Sequence, residues 1–216
     1  MKVHKFTFNP FQENTYLLVN KEQKCLIIDP GMQDDHECDE LFQFIEKQQL
    51  EPIAILNTHC HIDHILGVNK TKLAYDIDLF CHELEKWNID NFALQASMFG
   101  FKLNPSEAVI QPVYFNMNSL PEFLGEFELE TLFVPGHSNG HLAFYNRNFG
   151  FVISGDVLFY ESIGRTDLPD GNFKVLEKSI RAKLYTLPNE TIVYAGHMQN
   201  TTIGHEKRHN PWIMPL

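Results

Sequence analysis

The sequence has few positive charges for its length, and this shortage argues against one large class of partners. Lys and Arg number 17 against 28 Asp and Glu, so the formal net charge is −11. No cluster of basic residues offsets this charge. Because proteins bind polyanions by displacing counterions with Lys and Arg, we expect no nucleic-acid partner.

Long apolar runs are also missing. The first residues, Met1 to Phe6, contain nothing like the apolar centre of a secretory signal, and no stretch approaches the length of a membrane span. The four Cys, at positions 25, 38, 60 and 81, lack the spacing of a zinc ribbon or a redox pair. We therefore expect a cytoplasmic protein with reduced thiols and no membrane partner.

The remaining composition is that of an ordinary globular chain. Hydrophobic residues make up 44% and charged residues 21% of the 216 positions, which is enough for a sizeable core. No repeat, linker or low-complexity tract interrupts the chain. We expect a single domain over residues 1–216, with an oligomeric state that the sequence leaves open.

Hydrophobic periodicity gives groups of strands that look antiparallel, with occasional helices, and so predicts an α/β fold with two sheets and helices outside them. Strands are expected at 2–8, 15–19, 25–28, 52–56, 125–134, 141–146, 150–154 and 191–195. Helices are expected at 35–50 and at 173–187. The segment 82–125 is ambiguous, because its apolar residues from Phe92 to Phe101 cover most of a helix surface. A buried helix, a wall or lid over a site and an oligomer contact all remain open for it.

The most informative segment is Thr-His-Cys-His-Ile-Asp-His at residues 58–64, which follows the strand expected at 52–56. Imidazole and carboxylate groups are ligands for zinc, iron and copper. Residues two apart do not face each other on a helix, so His59 and His61 can converge on one ion only in an extended or looped backbone. Asp63 and His64 then begin a new element and can turn towards a second ion. Cys60 should point away from the metals and pack.

Three later segments repeat a pattern of apolar run, glycine and ligand. They end in His137, Asp156 and His197. A single such residue would usually be structural. Together with the four residues of the first segment they make seven candidate ligands, enough for two ions that each keep an open position.

These motifs resemble the metallo-β-lactamase superfamily, whose fold is an αββα sandwich with the metal site at one edge of its sheets. The chain is most similar to the glyoxalase II-like (hydroxyacylglutathione hydrolase-like) branch. The resemblance rests on Asn14-Thr-Tyr, Ile28-Asp-Pro-Gly, the His-x-His-x-Asp-His segment, Pro135-Gly-His, Ser154-Gly-Asp, Gly164-Arg-Thr-Asp, Gly196-His and Thr202-Ile-Gly. It therefore covers nearly the whole chain.

The resemblance implies a role for each candidate residue. His59, His61 and His137 would hold the first metal, Asp63, His64 and His197 the second, and Asp156 would bridge them. Asp29 would orient ligands. His141 would either do the same or serve the structure alone. Arg165 would either face substrate anions or be structural.

The same resemblance implies the chemistry. Two divalent cations, expected to be Zn²⁺ with iron or manganese as alternatives, would share a hydroxide that attacks a thioester carbonyl. Asp63 would orient that hydroxide. The partner would be a small-molecule thioester, whose acyl group and thiol carrier the sequence does not identify. Glyoxalase II enzymes continue into a helical C-terminal domain that helps to bind glutathione, and no such segment follows here, so we expect loose recognition of the carrier.

Rival activities exist on the same fold. Members that are β-lactamases typically replace the bridging Asp, and flavodiiron proteins typically have Glu at the position of His61. The acidic charge disfavours a transfer-RNA nuclease. A persulfide dioxygenase with one iron and a metal-binding module without hydrolase activity remain the alternatives.

Overall fold

The computed structural model describes residues 1–103 and 108–214. The described chain forms two units, Met1–Phe115 and the part from Asn116 onward, which we call the first and second halves. In neither described range is any helix long and apolar enough to cross a membrane. The expected single domain stays a prediction.

The first half contains one six-stranded sheet with the strand order β1-β2-β3-β4-β5-β6. Its strands are β1 (Lys2–Phe8), β2 (Glu13–Val19), β3 (Lys24–Ile28), β4 (Glu51–Leu56), β5 (Leu79–His82) and β6 (Pro112–Phe115). Strands β1, β2 and β3 pair antiparallel, whereas β3, β4, β5 and β6 pair parallel. The carboxyl ends of β3 and β4 therefore lie at the same edge of this sheet.

The helices of the first half are α1 (Asp35–Lys47), α2 (Val68–Tyr75), α3 (Lys86–Asp90) and α4 (Phe92–Met98), with 3₁₀ turns at Ile62–His64 and Glu83–Glu85. Helix α1 begins at Asp34, whose side chain accepts a hydrogen bond from the Glu37 amide. It buries Cys38, Leu41 and Ile45 against the apolar residues of β1, β2 and β3. The predicted helix at 35–50 is confirmed, three residues shorter at its end.

The second half contains a five-stranded sheet with the order β13-β12-β9-β8-β7 and a separate β10–β11 hairpin. Its strands are β7 (Glu130–Phe133), β8 (Leu142–Asn146), β9 (Phe151–Gly155), β10 (Leu158–Phe159), β11 (Ser162–Ile163), β12 (Ile192–Ala195) and β13 (Thr201–Thr202). Strand β8 is antiparallel to both β7 and β9, and β12 is parallel to β9. Strands β7, β9 and β12 thus run in the same direction and end at the same edge.

The helices of the second half are α5 (Phe123–Glu126), α6 (Phe173–Ser179), which continues into a π-helical turn at Ile180–Leu184, and α7 (Ile203–His209). Leu176, Ile180 and Leu184 of the helix expected at 173–187 are buried, and they pack on the apolar residues of β8, β9 and β12. The prediction of two sheets with mixed α/β structure is confirmed.

Two expectations need correction. The strand expected at 125–134 covers only Glu130–Phe133, because Leu124 and Phe127 lie three residues apart on a helical turn and bury its inner side. The groups of strands also looked antiparallel, whereas strands β3, β4, β5 and β6 of the first sheet pair parallel.

The ambiguous segment forms several short elements, and its residues 104–107 lie outside the described part. Helix α4 is amphipathic, because Phe92 and Ala96 are buried while Leu94 and Met98 are exposed. The helix is therefore neither fully buried nor fully free of the core.

Candidate metal centre

In the first half the ligand segment begins directly after β4 ends at Leu56. Residues 58–61 are irregular, and the 3₁₀ turn Ile62–His64 starts at the next residue, as the sequence predicted. The ring of His59 lies 4.8 Å from that of His61 and 4.2 Å from that of His64, between centroids. All three imidazoles are buried. The segment thus brings three buried histidines together within six residues.

Asp29, which follows β3, holds this segment at the shared sheet edge. Its Oδ1 accepts a hydrogen bond from the Thr58 amide at 2.7 Å, and its Oδ2 accepts one from the Thr58 hydroxyl at 2.6 Å. The same Oδ2 lies 3.2 Å from Nδ1 of His64, and the Thr58 hydroxyl lies 3.0 Å from Nδ1 of His59. With both Nδ1 atoms in these contacts, metal coordination falls to Nε2 of each ring.

The donor set of the first half fits a divalent transition metal. One donor atom from each of Asp29, His59 and His64 lies within 4.8 Å of the other two, and all three residues are buried. Because Asp29 contacts Nδ1 of His64, it orients this ring and leaves Nε2 for the metal. Asp63 is more accessible, since its side chain is 14% exposed, and its Oδ2 lies 3.6 Å from Nε2 of His64. Buried imidazole and carboxylate groups at such distances are the surroundings that transition metals take in proteins.

Three further residues support the segment and were not identified from the sequence. The Asn57 amide donates to the carbonyls of His59 and His64 at 3.1 and 3.0 Å. Nδ2 of Asn9 donates to the carbonyl of Asp63 at 3.0 Å. Oε1 of the buried Glu13 lies 3.7 Å from Nδ1 of His64. Asn57 directly follows a buried strand, and this position in the sequence could have identified it. Asn9 and Glu13 belong to a hairpin that is distant in sequence, and no pattern there points to the ligands.

Cys60 has the packing role that the sequence predicted. Its side chain is buried in an apolar cluster with Ile55, Ile62 and Leu79. Burial raises the pKa of its thiol well above the usual range, and the neighbouring Cys81 thiol raises that pKa further. All four Cys are free thiols and all are buried.

In the second half the three candidate ligands follow three strands that end at one edge. His137 follows β7, Asp156 follows β9 and His197 follows β12. Oδ2 of Asp156 lies 3.5 Å from Nε2 of His137 and 3.4 Å from Nε2 of His197. One oxygen of this carboxylate therefore lies near Nε2 of both imidazoles.

Backbone groups orient these ligands. Nδ1 of His137 donates to the carbonyl of Arg165 at 2.8 Å. The amide of Asp156 donates to Nε2 of His141 at 3.1 Å, so His141 contacts the backbone of a candidate ligand. The ring of Phe159 stands edge-on to that of His197, with centroids 5.9 Å apart.

A glycine is required just before His137. Gly136 has a φ of +131°, and a Cβ there would collide with the backbone of Leu176 in α6. Its carbonyl accepts a hydrogen bond from the Asn172 amide at 2.7 Å. The helix thus packs directly on the ligand loop, which only a residue without a side chain allows.

The guanidinium of Arg165 is committed to Asp167. Two hydrogen bonds of 2.7 Å join them in a bidentate pair. The hydrogen bond from Arg165 holds the pKa of Asp167 down to about 2, so the pair is ionised at neutral pH. What ties Arg165 to the candidate ligands is its main-chain carbonyl.

Residues 8–197 match the family model described as the metallo-beta-lactamase superfamily. A probable metallo-hydrolase of Bacillus subtilis, YqgX, is 40% identical over 99% of this chain and 98% of its own. The hydroxyacylglutathione hydrolase GloC of Haemophilus influenzae is 36% identical over 99% of this chain and 98% of its own.

Two solved structures are similar over nearly the whole chain. TTHA1623 in a di-iron-bound form shares 35% identity, with a TM-score of 0.85 over 97% of this chain and 99% of that one. BLEG-1, described as a B3 metallo-beta-lactamase, shares 36% identity, with a TM-score of 0.84 over 98% and 99%. These likenesses confirm the predicted α/β metallo-β-lactamase fold and the predicted resemblance to the hydroxyacylglutathione hydrolases.

Proposed function

This chain belongs to the metallo-beta-lactamase superfamily, and from that membership and its two ligand groups we propose that it is a metal-dependent hydrolase of thioesters. The observation that carries the proposal is the second-half carboxylate of Asp156, whose Oδ2 lies 3.5 Å from Nε2 of His137 and 3.4 Å from Nε2 of His197. A carboxylate so placed is suited to bridge two cations. The di-iron form of TTHA1623 supports a site for two ions on this fold.

We assign the ligands as the sequence pattern does. His59, His61 and His137 would hold one ion, and Asp63, His64 and His197 would hold the other. Asp156 would be shared by the two. When bound, a pair of divalent cations polarises a carbonyl and lowers the pKa of water so that hydroxide is available near neutral pH.

The chain's own groups orient the reaction. Asp29 and Thr58 hold the rings of His64 and His59 through Nδ1, as the Arg165 carbonyl holds that of His137. These contacts leave Nε2 of His59, His64 and His137 as the atom that would bind metal, with the ring orientation already set. Asp63 is the more solvent-accessible carboxylate, and we assign it to orient the attacking water. A thiolate leaves readily because its parent thiol has a pKa of about 8.5, so no strong general acid is needed.

The thioester class rests on GloC, which matches this chain over nearly the full length of both. An enzyme of the same length therefore carries the name hydroxyacylglutathione hydrolase. We propose S-acylated thiols as substrates, with glutathione as one carrier that is recognised loosely. Substrate, metal identity and a cytoplasmic location are part of this proposal.

A β-lactam is the second candidate substrate, and one observation favours it. BLEG-1, at 36% identity, is described as a B3 metallo-beta-lactamase. Attack on an amide and attack on a thioester need the same polarised carbonyl and nucleophile. They differ in the leaving group, because an amine must be protonated as it departs whereas a thiolate need not be.

Steady-state assays on the purified, metal-loaded protein separate these candidates. We expect turnover of lactoylglutathione and of small thioesters with other thiols, and a kcat/KM for a chromogenic cephalosporin at least about a hundredfold lower, which is a barrier difference near 3 kcal/mol. Asp156→Ala serves as the inactive control and His36→Ala, an exposed histidine, as the active one. Faster cephalosporin than thioester turnover would replace the proposal with the second candidate.

A further inference from the structure

Cys60, the residue between the ligands His59 and His61, is held from two sides by the segment that follows β5. Its amide donates a 2.8 Å hydrogen bond to Oε2 of Glu85. Its side chain packs in an apolar cluster that includes Phe92 and Ala96 of α4. Both the backbone and the side chain at the centre of the ligand segment are therefore fixed by residues 83–98.

Glu85 is itself anchored within that segment. Its side chain is buried, and its Oε2 also accepts a 3.0 Å hydrogen bond from Nδ2 of Asn88. The carbonyl of Asn88 accepts a 2.8 Å hydrogen bond from Nε2 of Gln95 in α4. A buried chain of hydrogen bonds thus runs from the ligand segment through α3 to α4.

Glu85 supplies the hydrogen-bond acceptor that the Cys60 amide lacks once strand β4 has ended. Beyond Leu56 the ladder of β4 has ended, so the Cys60 amide needs another acceptor because it is buried. A carboxylate is a strong acceptor for one amide. The bond fixes the peptide plane between His59 and Cys60, and this plane sets the directions in which the two flanking imidazoles leave the backbone.

We propose that Glu85 is a positioning residue for the metal site, acting on His59 and His61 through the Cys60 amide. Segment 83–98 is then the support beneath the ligand segment rather than a lid over it. The inference rests on the metal site of the proposed function. It does not rest on the thioester substrate.

Metal binding tests the proposal directly. Glu85→Ala removes the acceptor, Glu85→Gln keeps a side-chain carbonyl in its place, and Glu83→Ala changes an exposed carboxylate of the same 3₁₀ turn as the matched control. The two readouts are metal affinity, by competition with a chromophoric chelator, and the visible absorption spectrum of the Co²⁺-substituted protein. The spectrum reports coordination geometry, which a loss of general stability would leave unchanged.

We expect Glu85→Ala to weaken metal affinity by about ten- to a hundredfold, the usual range for groups that orient ligands, and to alter the Co²⁺ spectrum. Glu85→Gln should restore the spectrum and most of the affinity, and Glu83→Ala should match the unmodified protein. If Glu85→Ala does not fold, Asn88→Ala takes its place, since it removes the amide that fixes the carboxylate. That variant should show a smaller loss in the same direction.

Two results would overturn the inference. One is a folded Glu85→Ala or, in its place, Asn88→Ala protein with unchanged affinity and spectrum. The other is a Glu85→Gln protein as impaired as Glu85→Ala, because the acceptor would then not be what matters. Neither result involves a thioester. A protein that binds metal in this way yet cleaves no thioester would refute the proposed function and leave this inference standing.

Discussion

The two halves of the molecule supply candidate ligands in opposite ways. The first half provides them from one continuous segment, His59 to His64. A few adjacent backbone dihedrals set the relative positions of these side chains. The second half provides them singly, from His137, Asp156 and His197, which come together only because β7, β9 and β12 end at one sheet edge. The first group depends on local chain geometry, and the second depends on the pairing of a whole sheet.

The halves also differ in what orients the ligands. In the first half, side chains do so, because Asp29 and Thr58 contact the Nδ1 atoms of two histidines. In the second half, Nδ1 of His137 meets the main-chain carbonyl of Arg165. Substitutions near the ligands should therefore disturb the first half more readily than the second.

The largest effects are expected from the ligands themselves. Asp156→Ala and His59→Ala remove one ligand from each half, and each should lower kcat/KM for a thioester by roughly a thousandfold or more, since a metal supplies several kcal/mol to the barrier. Elemental analysis should show metal lost in both. Full activity in Asp156→Ala would show that the bridging assignment is wrong.

The next largest effect concerns stability beside His137. Gly136→Ala places a Cβ against the backbone of Leu176 at a φ of +131°, so it should lower the melting temperature by roughly 5–10 °C, equivalent to about 2–3 kcal/mol. Gly125→Ala is the matched control, because nothing lies within 4 Å of a Cβ there. Calorimetry of the metal-free proteins measures both. Equal melting temperatures would contradict the close packing of α6 on this loop.

A more moderate effect should distinguish the two modes of orientation. Asp29→Ala should weaken metal binding by about ten- to a hundredfold, because it removes the acceptor beside His64. Arg165→Ala should leave metal affinity unchanged, because the carbonyl that accepts from His137 remains. Titration with a competing chelator measures both. A loss in Arg165→Ala as large as in Asp29→Ala would remove the distinction.

The smallest effect is expected when the native protein is treated with a thiol reagent. All four Cys belong to the first half, and all are buried. Burial raises the pKa of Cys25 to about 12 and that of Cys38 to about 11, so their thiols stay protonated at neutral pH. A thiol reagent at pH 8 should therefore titrate almost no Cys in the native protein and four in denaturant. Rapid reaction of Cys60 in the native state would show that the ligand segment opens.

The sequence predicted the candidate ligands better than the residues that hold them in place. His59 to His64 could be recognised because these ligands are close together in the sequence. His137, Asp156 and His197 could be recognised because each follows an apolar run and a glycine. Glu13 and Glu85 could not, since each reaches the ligand segment from a strand or a turn that is distant in sequence. Parallel pairing of β3 to β6 was missed for a related reason, because hydrophobic periodicity does not encode strand direction.

The same limit explains the error near residue 125. Leu124 and Phe127 share one face of a helical turn, but a single apolar pair is too short a pattern to specify that turn against the strand that follows it. Lone ligands at strand ends likewise become informative only when several of them share one sheet edge.

The central proposal is that the protein holds two metal ions, and the metal content of the purified protein tests it most directly. Elemental analysis of fully loaded, active protein should give close to two metals per chain. Single-ligand variants, His59→Ala in one half and His197→Ala in the other, should each fall below that value. One iron per chain at full loading and full activity would contradict the account and favour a mononuclear dioxygenase.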